Sequence, residues 1–190
     1  MKRKTQIKSF TLIELLVVMT IVTILAGAVA GVFRTSQIRT RDAKRKSNIK
    51  NMATALELLY SDYQLYPRES SGKIRACPYD NNNPNQGSTC EPGEEIGVVA
   101  GASGKKTTYM REIPGDPGDG KYYYRVKDDW TGFQLYAHLE SQKDKDCMPD
   151  SQGVPNCLSP KLPEQLGDDD CGQGLVCNFG VASSNLSLID

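Results

Sequence analysis

A lone carboxylate at the start of a long apolar run needs a partner, and Glu14 is such a carboxylate. It sits four residues after Phe10 in Phe10-Thr-Leu-Ile-Glu-Leu-Leu-Val-Val-Met-Thr-Ile-Val-Thr-Ile-Leu-Ala26, and no charged residue follows it until Arg34. An ionised group in hydrocarbon is expensive and marks a functional pairing by default. The chemistry it offers is ion pairing with a cation that the run itself does not contain. The plainer alternative is that Glu14 reaches the headgroups from the helix end. Other reactive types are scattered. His138 is the only histidine and lies in an alternating strand pattern without a nucleophile motif around it, which argues against Ser or Cys catalysis.

The element that must carry Glu14 is a helix. Residues 10–33 would give roughly 36 Å of α-helix, enough to cross a hydrocarbon core of about 30 Å. Lys2, Arg3, Lys4 and Lys8 precede it, so the positive-inside rule keeps the N-terminus cytoplasmic and sends the rest across. A secretory signal peptide cut near Ala28-Val-Ala30 and an uncleaved signal anchor are the competing readings. The run is longer than a usual signal core, and Glu14 fits one poorly.

Ser9-Phe10-Thr-Leu-Ile-Glu-Leu-Leu-Val-Val18 resembles the processing motif of type IV pilins and type II secretion pseudopilins, with Ser9 where that family usually has Gly. The resemblance implies a membrane prepilin peptidase cutting between Ser9 and Phe10 and methylation of the new Phe10 amine. It makes Glu14 the assembly carboxylate, paired in the filament with the Phe10 amine of a neighbouring copy. Each buried charge then becomes half of a pair, the condition under which buried ions are tolerated. The implied partners are other copies of the chain or related pilins, the peptidase, an assembly platform, and membrane lipid before assembly. The implied location is the inner membrane, with the distal part extracytoplasmic, and then the filament.

Beyond the apolar run, Arg34, Arg39, Arg41, Lys44, Arg45, Lys46 and Lys50 face a single acid, Asp42. Past position 50 the balance reverses, to 12 basic against 21 acidic residues. The basic run suits anionic lipid or a phosphate backbone. No aromatic residue interleaves it, which disfavours nucleic acid and favours a solvated helix that meets acidic surfaces of neighbouring subunits. Ile49, Met52, Leu56, Leu59 and Tyr63, with Ala53 and Tyr60, then recur at spacings of three and four, an amphipathic core-facing stripe. Tyr66-Pro67 ends it.

Residues 68–108 read as loop-rich, with turn chemistry at Asn81–Gly87 and Gly101–Gly104. Lys121–Val126 and Gly132–Leu139 read as two strands around a turn at Lys127–Thr131. The helix end at Tyr63–Pro67 is similar to that of major pseudopilins. So is the order Ile113-Pro-Gly-Asp-Pro117, Tyr122-Tyr-Tyr124, Phe133-Gln-Leu-Tyr136. The expected fold is therefore α+β and pilin-like: a long N-terminal helix packed on a small antiparallel sheet, with a disulfide-rich C-terminal region. The expected organisation is a leader at 1–9, a membrane or filament-core helix at 10–33, a basic then amphipathic continuation at 34–66, and a globular domain at 67–190.

All six cysteines lie beyond the apolar run, a framework for disulfides in an oxidising compartment. Six cysteines allow fifteen pairings; nearness in sequence suggests Cys77–Cys90, Cys147–Cys157 and Cys171–Cys177. Zinc is disfavoured, since no Cys-x-x-Cys is present. Major pseudopilins bind calcium near the C-terminus, which makes Asp144, Asp146 and Asp150, and the tract Asp168–Asp170, the places to look; solvated acidic loops are the simpler reading. No other cofactor is expected. The function these features favour is architectural, a subunit polymerising into a type IV pilus or a type II secretion pseudopilus. The alternative is a monomeric, single-pass, membrane-anchored extracellular binding module.

Overall fold

The computed structural model describes residues 10–77, 79–80, 87–100, 105–164 and 166–188, with only the backbone described at 28–32, 79, 80 and 100. Two compact units divide at Arg39/Thr40. The expected leader, including Ser9, lies outside the described residues.

Helix α1 runs Leu12–Tyr63. Thr11 caps its start: the Thr11 hydroxyl accepts the Glu14 N–H at 3.3 Å, and the Thr11 carbonyl accepts the Leu15 N–H at 3.3 Å. A Thr before the first turn satisfies donors that the helix cannot satisfy itself. At the other end, Gln64 takes a left-handed φ of 59° and donates its N–H to Tyr60 O at 2.7 Å. That closes the helix three residues before Pro67. Among the described residues no helix is long and apolar enough to cross a membrane. The expected span at 10–33 includes residues 28–32, whose side chains lie outside the description.

In the second unit α1 buries the expected stripe. Ile49, Leu56 and Leu59 are fully buried and Met52 nearly so, while Tyr60 and Tyr63 are partly buried against the same core. The opposing surface is built by β6 (Tyr123–Val126), β7 (Phe133–Ala137) and β8 (Phe179–Ala182), an antiparallel sheet in the order β6-β7-β8. β7, central and covered on both faces, is buried along its whole length. Register pairs Tyr124 with Leu135 and Leu135 with Val181. Tyr66 stacks on Tyr60 at 4.5 Å between ring centroids and meets Phe133 edge-on at 4.8 Å, tying the helix exit to the sheet. Gly180 has no room for a side chain, since an added Cβ would lie 2.8 Å from Leu135 O.

Residues 68–108 hold more structure than loop chemistry predicts. β1 (Glu69–Ser70) and β2 (Lys73–Ile74) form a small hairpin, and β3 (Tyr79–Asp80), β4 (Ile96–Ala100) and β5 (Lys105–Met110) form a second three-stranded sheet. β4 and β5 pair antiparallel, but β3 and β4 are parallel, a departure from a purely antiparallel sheet.

Three disulfides, Cys77–Cys90, Cys147–Cys157 and Cys171–Cys177, staple the loops. The first lies among the strands of the 68–110 region, so only two belong to the C-terminal part. That part is held to the sheet by fully buried Asn178. Its side chain accepts the Leu139 N–H at 2.6 Å and donates to Leu139 O at 2.9 Å and Cys157 O at 3.0 Å. A buried amide with all these bonds made is specific rather than costly.

Candidate functional site

The beginning of α1 presents an apolar surface. From Phe10, 83% exposed, to Leu25, every large apolar side chain is exposed, and even Val17, the least so, stands at 47%. The polar residues among them are handled locally. Thr20 donates to Val17 O at 2.8 Å, and the Thr23 hydroxyl lies 2.9 Å from both Met19 O and Thr20 O. Hydroxyls bonded back to helix carbonyls leave no unmet donor on the apolar face. Glu14 differs: among the described residues its carboxylate has neither an ion pair nor a hydrogen bond.

The basic run divides in two. Arg34, Arg39, Lys44 and Lys50 are exposed and unpaired among the described residues. Arg41, Arg45 and Lys46 are committed inside the second unit. Arg45 and its partners Asp42 and Asp116 have side chains only 2% exposed, with ion-pair distances of 2.9 and 2.7 Å; Glu140 joins them at 2.7 Å. Arg41 adds its own bond to Glu140, Nε to Oε1 at 2.8 Å. Asp42 further accepts the backbone N–H groups of Glu140 and Ser141 at 2.9 Å each, and Asp116 accepts that of Gly118 at 2.8 Å. Asp42 and Asp116 are thus each met by a guanidinium and by backbone donors, and Glu140 by two guanidinium groups, the arrangement that makes buried charge tolerable.

The titration behaviour follows. Hydrogen bonding from Arg41, aided by Arg45, holds the Glu140 carboxyl down at about 2. Burial alone would raise the Asp116 carboxyl, but the Arg45 hydrogen bond and backbone donors outweigh it and the net shift is downward. Burial likewise opposes the charge on Arg45, and its three acids push its pKa upward all the same.

A solvated basic run is the expectation that Arg45 corrects. Its signal was present as Asp42 three residues earlier on the same helix face, but Asp116 and Glu140, about seventy and a hundred residues away, could be joined to it only by the fold. The Thr11 cap has its own sequence signal, Thr11-Leu-Ile-Glu14, the Thr-x-x-Glu pattern of a helix start.

Of the calcium candidates, Asp144 and Asp146 are bound by Lys46 Nζ at 2.6 and 2.7 Å. Asp150 accepts the N–H groups of Gln152 at 2.8 Å and Val154 at 3.1 Å within its own loop. In the tract 168–170, Asp170 accepts the Gly167 N–H at 2.8 Å and Asp169 that of Gly174 at 2.5 Å. Among the described residues no cluster of three or more His, Cys, Asp or Glu side chains is placed to hold a metal. His138 sets Nδ1 2.8 Å from Val176 O, a structural tie.

Comparison with known proteins agrees with the N-terminal geometry. The prokaryotic N-terminal methylation motif matches residues 5–30. Over 137 residues, 72% of this chain and 85% of the relative, the chain is 28% identical to type II secretion system core protein G of Pseudomonas aeruginosa. No solved structure matches the chain. Pilins and pseudopilins are structural subunits, not enzymes. The methylation motif and the pseudopilin relative together support the chain as a member of the pilin and pseudopilin family.

Proposed function

We propose that this chain is a filament subunit whose precursor is held in the inner membrane by residues 10–33, N-terminus inside, and whose mature form begins at Phe10. In this reading a prepilin peptidase cuts after Ser9, the Phe10 amine is methylated, and the subunit polymerises through its apolar helix under an assembly platform. The leader is 1–9, the segment 34–66 continues the helix, and 67–190 forms the extracytoplasmic outer surface.

One observation carries the reading. Along the apolar stretch Leu12–Ala26 the threonine hydroxyls are satisfied within the helix, while the Glu14 carboxylate has no partner among the described residues. A carboxylate so placed gains most from a cation presented by another helix, and cleavage before Phe10 creates one four residues away. The relative from a type II secretion system favours a pseudopilus over a type IV pilus. The exposed cations Arg34, Arg39, Lys44 and Lys50 remain available for acidic surfaces of neighbouring subunits.

Intact mass and N-terminal sequencing of the membrane-extracted protein from its own host test the processing. A chain starting at N-methylated Phe10 is the expected result. A chain starting at Met1 sinks the processed filament and leaves the single-pass anchored binding module; a start after Ala30 means an ordinary secreted domain.

A further inference from the structure

The acidic loop after β7 is supplied with a cation from α1. Asp144 and Asp146 stand two residues apart, just before the Cys147–Cys157 disulfide. The Lys46 ammonium bridges them, 2.6 Å from Asp144 Oδ1 and 2.7 Å from Asp146 Oδ2. The Lys46 and Asp144 side chains are each only 20% exposed, so that half of the bridge is shielded from solvent. The Asp146 half, on a side chain 62% exposed, is screened and contributes less. Lys46 Nζ also lies 5.8 Å from the ring centroid of Phe179, at the start of β8. One side chain thus ties the helix to the loop and to the last strand of the sheet.

Helix geometry brings Lys46 to this loop. Asp42 stands four residues earlier, so the two side chains leave the same face of α1 one turn apart. Asp42 accepts the Glu140 and Ser141 N–H groups at 2.9 Å each, where the loop begins. Lys46 then takes the two carboxylates further along. An acid meets backbone donors and a base meets acids, in the order in which the loop presents them.

Calcium, which the resemblance to major pseudopilins implies for this part of the chain, does not fit the same groups. It takes about six to eight oxygens at roughly 2.3–2.6 Å. Asp144 Oδ1 already accepts the Lys46 ammonium at 2.6 Å and the Asp146 N–H at 3.0 Å. A calcium ion on that oxygen at about 2.4 Å would lie no more than about 5 Å from Nζ, where its double charge repels the ammonium. Asp150 is turned to its own loop, with Oδ1 accepting the Gln152 and Val154 N–H groups at 2.8 and 3.1 Å. Among the described residues no three His, Cys, Asp or Glu side chains converge to outweigh the lysine.

We propose that the Lys46 ammonium takes the place of a bound divalent cation, so that the C-terminal part of this chain stays docked on α1 without calcium. The device uses no residue of the apolar segment and stands apart from the filament reading.

Thermal midpoints of the full chain in neutral detergent, with EGTA and with about 5 mM calcium chloride, test the independence from metal. The native chain melts within about 2 °C of the same temperature in both. Calcium held with a dissociation constant of about 50 μM would raise the midpoint by roughly 5 °C or more. Any gain above about 2 °C over sodium chloride of equal ionic strength overturns the proposal. Hydrogen exchange in EGTA tests the lysine. Lys46→Gln speeds exchange in residues 142–147 by about tenfold or more, while exchange in residues 49–59 stays within about twofold. Asp144→Asn gives the same loosening and serves should Lys46→Gln fail to fold. Unchanged exchange in residues 142–147 of a folded variant overturns the proposal.

Discussion

Residues 10–26 and residues 41–46 treat charge in opposite ways. In the first, one carboxylate stands among exposed apolar side chains with no partner among the described residues. In the second, Arg41, Asp42, Arg45 and Lys46 are all paired, and the central guanidinium is nearly sealed from solvent. Both lie on α1, so helix formation does not explain the contrast. A charge whose partner lies in the same chain is met by folding; in the proposed reading, the one left unmet on the apolar helix is met by association. The first region is therefore read as an assembly surface and the second as the clasp that fixes α1 to the domain it belongs to.

The comparison predicts the largest loss at Glu14 in assembly and the largest loss at Arg45 in stability, with neither change doing the other's work. Glu14→Ala abolishes filaments in a sedimentation assay while the thermal midpoint of the distal domain stays put. An assembling Glu14→Ala protein breaks the contrast at its strongest point. Arg45→Ala leaves Asp42 and Asp116 buried without their cation and costs about 3–5 kcal/mol of unfolding free energy, as measured by denaturant titration. A loss below about 1 kcal/mol would place the cluster with surface ion pairs.

Acid sharpens the same contrast. Glu140 titrates at about 2 in the fold against an ordinary 4.5, so its contribution is complete above about pH 4.5 and is lost as the pH falls toward 2. Asp116, also shifted downward, acts in the same direction. Thermal midpoints should fall through this window in the native protein and fall less in Arg41→Ala, which lacks the main bond to Glu140. The smallest effect belongs to the exposed cations: Lys44→Ala and Lys50→Ala should change stability by no more than about 0.5 kcal/mol. A larger change would mean that these lysines are also part of the clasp.

Much of this was legible because local pattern sufficed. The stripe from Ile49 to Leu59 has helical period, and Tyr122–Val126 and Phe133–Ala137 are aromatic-rich and flank a turn. The apolar run carries its odd carboxylate openly. Less was legible where the determinant is distant. β8 is only four residues long, sits between a disulfide and the C-terminus, and is a strand because it completes the sheet beside β7. β4 and β5 were obscured by the Gly101–Gly104 turn chemistry between them, although Ile96-Gly-Val-Val99 has strand composition. In sequence Arg45 is marked only by Asp42 three residues earlier, and its burial depends on Asp116 and Glu140, which only the fold brings to it. The stacking of Arg68 on Trp130, 4.0 Å from guanidinium carbon to ring centroid, had no sequence signal at all, since it depends on the left-handed backbone that Trp130 takes in the folded turn.

The central claim is that Glu14 is met by another copy of the chain. Filaments assembled from an equal mixture of unlabelled and nitrogen-15-labelled subunits, treated with a zero-length carbodiimide and digested, test it directly. The account predicts a peptide in which the Phe10 amine of one isotopic form is joined to the Glu14 carboxylate of the other. Cross-linked peptides of a single isotopic form only, or none involving Glu14, would contradict it.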